Sequence, residues 1–399
     1  MNITGIITEY NPFHYGHAYQ IEKARENGAT HIVVCMSGNF TQRGDISYFN
    51  KFTKAKAATL NGADLVLELP TPYALSTADR FAFGAVSILN NLGCVDNLHF
   101  GSECGDIDII KKMAKIIDSP TISQLTAEYL KSGISFPKAR QEAIINEYPE
   151  VSRHFLTPNN TLGTEYVKWL NRFNSNIKPQ TIKRHKTVHD SQKTSGTFAS
   201  AAYIRSLLNE RSDESFLYIP KSATQLFKND IVKGYIPKKA NVDVAILSKM
   251  RTITRSELLD IADVSEGLEN RILTSAARAV SFEQLADLIK TKRYTMSRIR
   301  RIILSAFLGI PKWMQSAEPP YIRVLTFNKR GQEILKIAKK TSSLYVSSSL
   351  SNIRTNCPKA LPYILTETTA TDLYSLCTES IQPCSSDFVY KIKGTPLIN

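Results

Sequence analysis

Cysteine is sparse in this chain: six among 399 residues, at positions 35, 94, 104, 357, 377 and 384. No two form a Cys-x-x-Cys pair, so neither a zinc site nor a disulfide framework is expected, and free thiols in a reducing cytoplasm are. No run of about 18 apolar residues occurs, which leaves no candidate for a membrane-spanning helix. The first strand-like segment starts at Ile3, leaving no room for a signal peptide. Acidic residues are in deficit, 36 Asp+Glu against 50 Lys+Arg, for a formal net charge of +14. The excess is uneven, net +4 over residues 1–208 and +10 over 209–399. Such a surplus favours polyanions, most commonly nucleic acid, and a solvated basic surface accounts for it equally well.

The length suits two domains, with a boundary expected near 208. In 1–208, strand patterns at Ile3–Thr8, His31–Met36, Leu65–Leu69, Asn97–Phe100 and Gln180–Arg184 alternate with helical patterns. This predicts an α/β fold with a mainly parallel sheet covered by helices on both faces. His31–Met36 is apolar on consecutive positions, as a strand buried on both faces should be. Helices over about 121–147 interrupt the alternation. From about 199 onward helical patterns dominate, with one strand, Tyr321–Phe327, and a helix at Gln332–Lys339. The tail, 342–399, carries no clear pattern.

The most informative stretch follows the first strand: Ile7-Thr8-Glu9-Tyr10-Asn11-Pro12-Phe13-His14-Tyr15-Gly16-His17-Ala18-Tyr19-Gln20. A strand that ends in a polar turn and opens a helix is where doubly wound sheets bind nucleotides, the helix N-terminus offering free N–H groups. Imidazoles of His14 and His17 can donate to phosphate oxygens and stabilise charge building on phosphorus. Gly16 removes a side chain where the backbone must approach a ligand. Nucleotidyl transfer, with attack at the α-phosphate, is the chemistry this implies.

The histidine pair resembles the HxGH nucleotidyltransferase superfamily. The wider string is more specific. Glu9 to His17, Met36-Ser37-Gly38-Asn39-Phe40-Thr41-Gln42-Arg43-Gly44, Asp64 to Pro70, Phe100-Gly101-Ser102-Glu103, Pro158 to Gly163 and Lys290 to Thr295 resemble the bacterial tRNA(Met) cytidine acetate ligase family. The resemblance runs from residue 1 to about 335. It implies a Rossmann-like nucleotidyltransferase domain followed by a mainly helical domain. It also implies activation of acetate by ATP as acetyl-adenylate, and transfer of the acetyl group to N4 of the wobble cytidine of elongator tRNA(Met). His14 and His17 would be catalytic, and ATP would be held by Ile7–Gln20, Gly101, Asn159 and Arg184. Mg²⁺ is expected with ATP, although no carboxylate cluster marks a metal site in the protein. Neither a protein partner nor a membrane is implied.

The local chemistry suits these positions. Gly101 ends the fourth strand, where glycine lets a base or ribose lie on the backbone. Asn159 follows Pro158 and can serve as an N-cap or a ligand contact. Arg184 ends the fifth strand, placing a fixed charge there. Gly38–Gly44 reads as a loop over the site, in which Arg43 meets phosphate or tRNA, or else solvent. One departure concerns a second nucleotidyltransferase motif, matched by Phe198 to Arg205. Ser200 and Arg205 are kept, and Ser200 can cap a helix and meet the triphosphate, but Ala202 stands where a hydroxyl is common.

Residues 290–301 contain Lys290, Lys292, Arg293, Arg298, Arg300 and Arg301 and no acid. Arg293, Ser297, Arg300 and Arg301 fall at helical spacing, with Met296, Ile299, Ile302 and Ile303 opposite, so a phosphate-tracking helix is expected. Tyr294 stacks on a base or packs in the protein. Two other readings stay open: an adenylyltransferase acting on a small metabolite, and a non-catalytic RNA-binding protein.

Overall fold

A computed structural model describes residues 1–184, 196, 198–265 and 267–392. Seven strands form one sheet: β1 (Ile3–Thr8), β2 (His31–Ser37), β3 (Leu65–Leu69), β4 (Asn97–Ser102), β5 (Lys178–Lys183), β6 (Tyr321–Phe327) and β7 (Tyr345–Ser347). Their spatial order is β5-β4-β1-β2-β3-β6-β7. The first five are parallel, as the alternation of strands and helices predicts, and β6 runs antiparallel to β3. The chain steps outward from β1 through β2 and β3, then returns to place β4 on the other side of β1. The crevice between the C-terminal ends of β1 and β4 is therefore the topological switch point.

Alternation along each strand divides the core in two. Ile7, Val33, Cys35, Leu67 and Phe100 face one layer, which continues through the helices Ala78–Asn91 and Pro158–Arg172 into Met296–Leu308. Ile6, Ile32, Val34, Met36 and Val66 face the other, made of Tyr15–Glu26, Lys51–Leu60, Ala201–Asn209 and Lys221–Val232. A third small core, including Ile122 and Ile144, joins the helices Pro120–Leu130 and Phe136–Glu147.

The boundary expected at 208 does not divide the sheet, because β6 and β7 come from the second half of the sequence. The tail folds too as far as it is described, to residue 392, as the helices Leu350–Asn356 and Leu361–Leu376 and a single helical turn at Ser386–Val389. It closes a buried charge cluster. Arg323 of β6 donates to Glu68 of β3 (2.9 Å) and to Asp387, while Lys51 pairs with Glu68 (2.6 Å) and Asp387 (2.8 Å). Glu367 accepts from the amide and the hydroxyl of Thr71 beside them. All six cysteines are free. Among the described residues no helix is long and apolar enough to cross a membrane.

Candidate active site

A cavity of about 280 Å³ opens at the switch point. From the first turn it is lined by Ile7, Thr8, Glu9, Tyr10, Asn11, His14, Gly16, His17, Tyr19 and Gln20. Thr41, Gln42, Arg43 and Asp45 form a second wall; Gly101, Asn159, Arg184 and Ser200 also reach it. Of the expected nucleotide contacts, Pro12, Phe13, Tyr15 and Ala18 do not. Phe13 is buried edge-on against Tyr10, where it supports the turn.

The turn is held by its histidines. His14 is the N-cap of Tyr15–Glu26, and its Nδ1 accepts the Gly16 amide at 3.0 Å. Nδ1 of His17 accepts the His14 amide at 3.3 Å. A backbone N–H only donates, so both Nδ1 atoms are unprotonated and each neutral imidazole carries its proton on Nε2. The ring centroids lie 3.8 Å apart. Burial first, then the charges of Arg184 and Arg205, push the pKa of His14 down to about 3. Burial, then His14 and Arg184, lower that of His17. The cavity thus meets two neutral donors. At Gly16 a Cβ would stand 2.8 Å from Cε1 of His14, so the glycine also makes room for the His14 ring.

More distant groups fix the motif. Lys54 is buried, and its Nζ donates to the carbonyls of Glu9 (2.9 Å), Ser37 (3.1 Å) and Gly38 (2.7 Å), tying the ends of β1 and β2 together. Burial draws its pKa down to about 7. Arg205 donates to the carbonyl of Asn11 at 2.8 Å, and the Asn11 side chain accepts the Tyr48 amide, also at 2.8 Å. Glu9 accepts the Gln42 amide at 2.6 Å. Phe81, Phe100, Leu162 and Tyr166 supply an apolar part of the lining. Lys54, Phe81, Gln42, Asp45 and Tyr166 were not identified as site residues from the sequence. A lysine in an amphipathic helix carries no sign that it is buried, and only Gln42 and Asp45, in or beside a loop over the site, had a local cue.

At the opposite wall, Gly101 makes room for an arginine: a Cβ there would stand 3.0 Å from Cγ of Arg184. Asn159 is not an N-cap; Thr157 holds that position, and Asn159 donates through Nδ2 to Glu103 at 2.6 Å. Ser200 caps Ala201–Asn209 by accepting the Tyr203 amide, as expected.

The basic segment departs from its expected form. The helix begins at Met296 with Thr295 as N-cap, so Arg293 precedes it and shares no helix face with Arg300. Tyr294 is buried beneath the guanidinium of Arg298. Arg298 donates to the carbonyl of Asp263 (2.7 Å), Arg300 pairs with Asp45 and Glu283, and Arg301 donates to the carbonyl of Gln42 (3.2 Å). These three arginines point into protein contacts because the apolar face of the helix, Ile299, Ile302 and Ile303, turns them toward neighbouring elements. Lys292, Arg293 and Arg43 are exposed.

The family model described as HIGH Nucleotidyl Transferase matches residues 1–387. A tRNA(Met) cytidine acetate ligase of Clostridium perfringens is 39% identical, covering 98% of both chains, and one of Clostridium tetani is 38% identical, covering 98% of this chain and 99% of its own. The crystal structure of Thermotoga maritima TmcAL bound with alpha-thio ATP is similar at a TM-score of 0.91, with 33% identity over 98% of each chain. The apo form of the same protein gives 0.90, with 33% identity over 96% of each chain. A full-length sequence match, the shared fold and a histidine turn at the switch point agree: the chain belongs to the HIGH nucleotidyl transferase family and, within it, to the tRNA(Met) cytidine acetate ligases.

Proposed function

We propose that this protein joins acetate to a tRNA at the expense of ATP. Acetate attacks the α-phosphorus and displaces pyrophosphate, giving acetyl-adenylate; N4 of the wobble cytidine of elongator tRNA(Met) then attacks the acyl carbon and releases AMP. The observation that carries the reading is the pair of neutral imidazoles, each left with an Nε2 proton, lining a cavity at the switch point. Neutral donors stabilise charge on a phosphate oxygen without giving up a proton. The names of the relatives and the nucleotide analogue bound to TmcAL support the same substrates.

Roles divide along the chain. Elements of 1–208 take ATP and acetate, and the basic second half, joined by Arg43, takes the RNA. Gly101, Asn159, Arg184 and Ser200 hold the nucleotide with the histidine turn. Mg²⁺ would travel on the triphosphate, Glu9 and Asp45 being the carboxylates that line the cavity. Lys290, Lys292, Arg293 and Arg43 contact RNA phosphates and give a salt-dependent affinity. A tRNA substrate and the free thiols fit a cytoplasmic location.

The test is incubation with ATP, labelled acetate and total bacterial tRNA, followed by nucleoside mass spectrometry. ATP-dependent label in N4-acetylcytidine is expected. Unlabelled RNA, with acetate-independent adenylation of a small metabolite, would replace this reading with the metabolite adenylyltransferase. RNA binding without ATP turnover would leave a non-catalytic RNA-binding protein.

A further inference from the structure

The wall Thr41–Asp45 of the nucleotide cavity is closed on itself by the amides of Thr41 and Gly44, which donate to the carbonyls of Asp45 and Thr41 at 3.0 Å each, and is held against the site from elsewhere in the chain. Its Gln42 meets Glu9 of the histidine turn through the amide, and Ser76 through Nε2 at 3.3 Å. The Gln42 carbonyl accepts from Nη1 of Arg301 at 3.2 Å. Asp45 accepts from one end of the Arg300 guanidinium, whose other end holds Glu283. Gly44, at φ +78°, lies flat on the same helix; a Cβ there would stand 2.6 Å from Cβ of Arg300 and 2.7 Å from the backbone nitrogen of Arg301. Neither arginine lines the cavity. Arg301 is 8% exposed, too buried to follow an RNA backbone.

We infer that Arg300 and Arg301 are positioning residues for acetate activation, holding the 41–45 wall against the histidine turn through Asp45 and the Gln42 carbonyl, and are not phosphate contacts for tRNA. The inference rests on the ligase reading. The loop's own bonds tie Thr41 to Asp45 and set its shape but leave its seat against the histidine turn to outside groups, and a forked guanidinium between two carboxylates fixes that seat at small entropic cost. The support is rigid, because Ile299, Ile302 and Ile303 anchor the helix in the core. The same helix directly follows Lys290, Lys292 and Arg293, so RNA held there and the wall of the nucleotide cavity share one scaffold.

Acetate-dependent exchange of pyrophosphate into ATP, with and without tRNA, measured beside tRNA affinity over a salt series, tests this. Arg300→Gln and Asp45→Asn should each lower kcat/KM for exchange about tenfold. The double variant should be no worse than the worse single, since both break one contact. Arg300→Lys, which keeps the Asp45 contact, should recover most of the rate, and tRNA affinity should stay at the wild-type value throughout. If Arg300→Gln melts at a lower temperature, Glu283→Gln loosens the fork from its far side and should still slow exchange. Arg300→Gln with normal exchange, weaker tRNA binding and a salt slope smaller by about one would overturn the inference. So would losses that multiply in the double variant. Wild-type protein inactive in exchange under both conditions would overturn the ligase reading and the inference with it; active wild type with indifferent variants overturns the inference alone.

Discussion

His17 is both a wall of the nucleotide cavity and a structural clamp, since its Nδ1 holds the amide of His14. On the proposed reaction, removing it takes away one neutral donor from the reacting phosphate. His17→Ala is expected to reduce acetyl-adenylate formation at least about 100-fold, with tRNA affinity close to wild type. Pyrophosphate exchange and a tRNA-binding isotherm check this; an active variant would remove His17 from the chemistry. The lowered pKa values make a second prediction. With His14 at about 3 and His17 also lowered, neither gains a proton near neutrality. Exchange should therefore show no histidine limb between about pH 6 and 8. The stability these rings contribute is complete above about 6.5, where histidine is neutral in both folded and unfolded chains, and drains as pH falls toward about 3. An inflection near pH 6.5 in kcat/KM would contradict the neutral assignment.

Between elements, the end of β4 and the start of the Pro158–Arg172 helix clasp one another. Glu103 accepts the amides of Asn159 (3.2 Å) and Asn160 (2.8 Å), and the Asn160 side chain accepts the amides of Glu103 (2.9 Å) and Cys104 (3.1 Å). The carboxylate also satisfies the positive end of the helix, and these bonds hold its pKa below the usual range despite burial. Glu103 thereby sets the place of Asn159 in the cavity. Glu103→Ala should weaken binding of an ATP analogue about tenfold by calorimetry, with a smaller change in melting temperature. An unchanged affinity would mean that Asn159 is placed by its helix alone. Gly163 belongs to the same contact, since a Cβ there would stand 2.4 Å from the Phe100 ring.

At the scale of the whole molecule, the tail completes a core that begins near residue 51. Lys51 and Arg323 face Glu68, Asp387 and Glu367, two cations against three carboxylates. Burial, reinforced by Glu68, raises the pKa of Glu367 to about 8, whereas the two cations hold Asp387 at about 2 despite its burial. A protonated Glu367 balances the cluster at neutral pH. Asp387→Asn removes a carboxylate that meets both Lys51 and Arg323 and should destabilise the fold by about 3–5 kcal/mol, read by denaturant unfolding. A group whose folded pKa is raised stabilises most below its unfolded value, near 4.5, and loses that contribution as pH rises through about 8. Melting temperature should accordingly fall between about pH 4.5 and 8, and Glu367→Gln should flatten that slope; a slope unchanged in the variant would assign it to another group.

What the sequence determined by itself is local. β1, the histidine turn and the helix after it occupy about 25 consecutive residues, and strand alternation, caps and the HxGH spacing act over that range. The parallel arrangement of the first five strands agrees with the same short-range patterns, because each is joined to the next by a helical crossover long enough to bring the chain back to the same edge. The tertiary structure decided the partners. Helical spacing makes Arg300 a candidate phosphate contact, since it reports which residues share a face and says nothing of what that face meets; Arg300 meets Asp45, 255 positions away. Lys54 gave no local sign of burial, and β6 gave none that it would pair antiparallel with β3. The unpatterned tail became the lid of a charge cluster for the same reason. Short-range geometry sets each element, and the free energy of burying a charge is settled only when residues far apart in sequence supply its counter-charge.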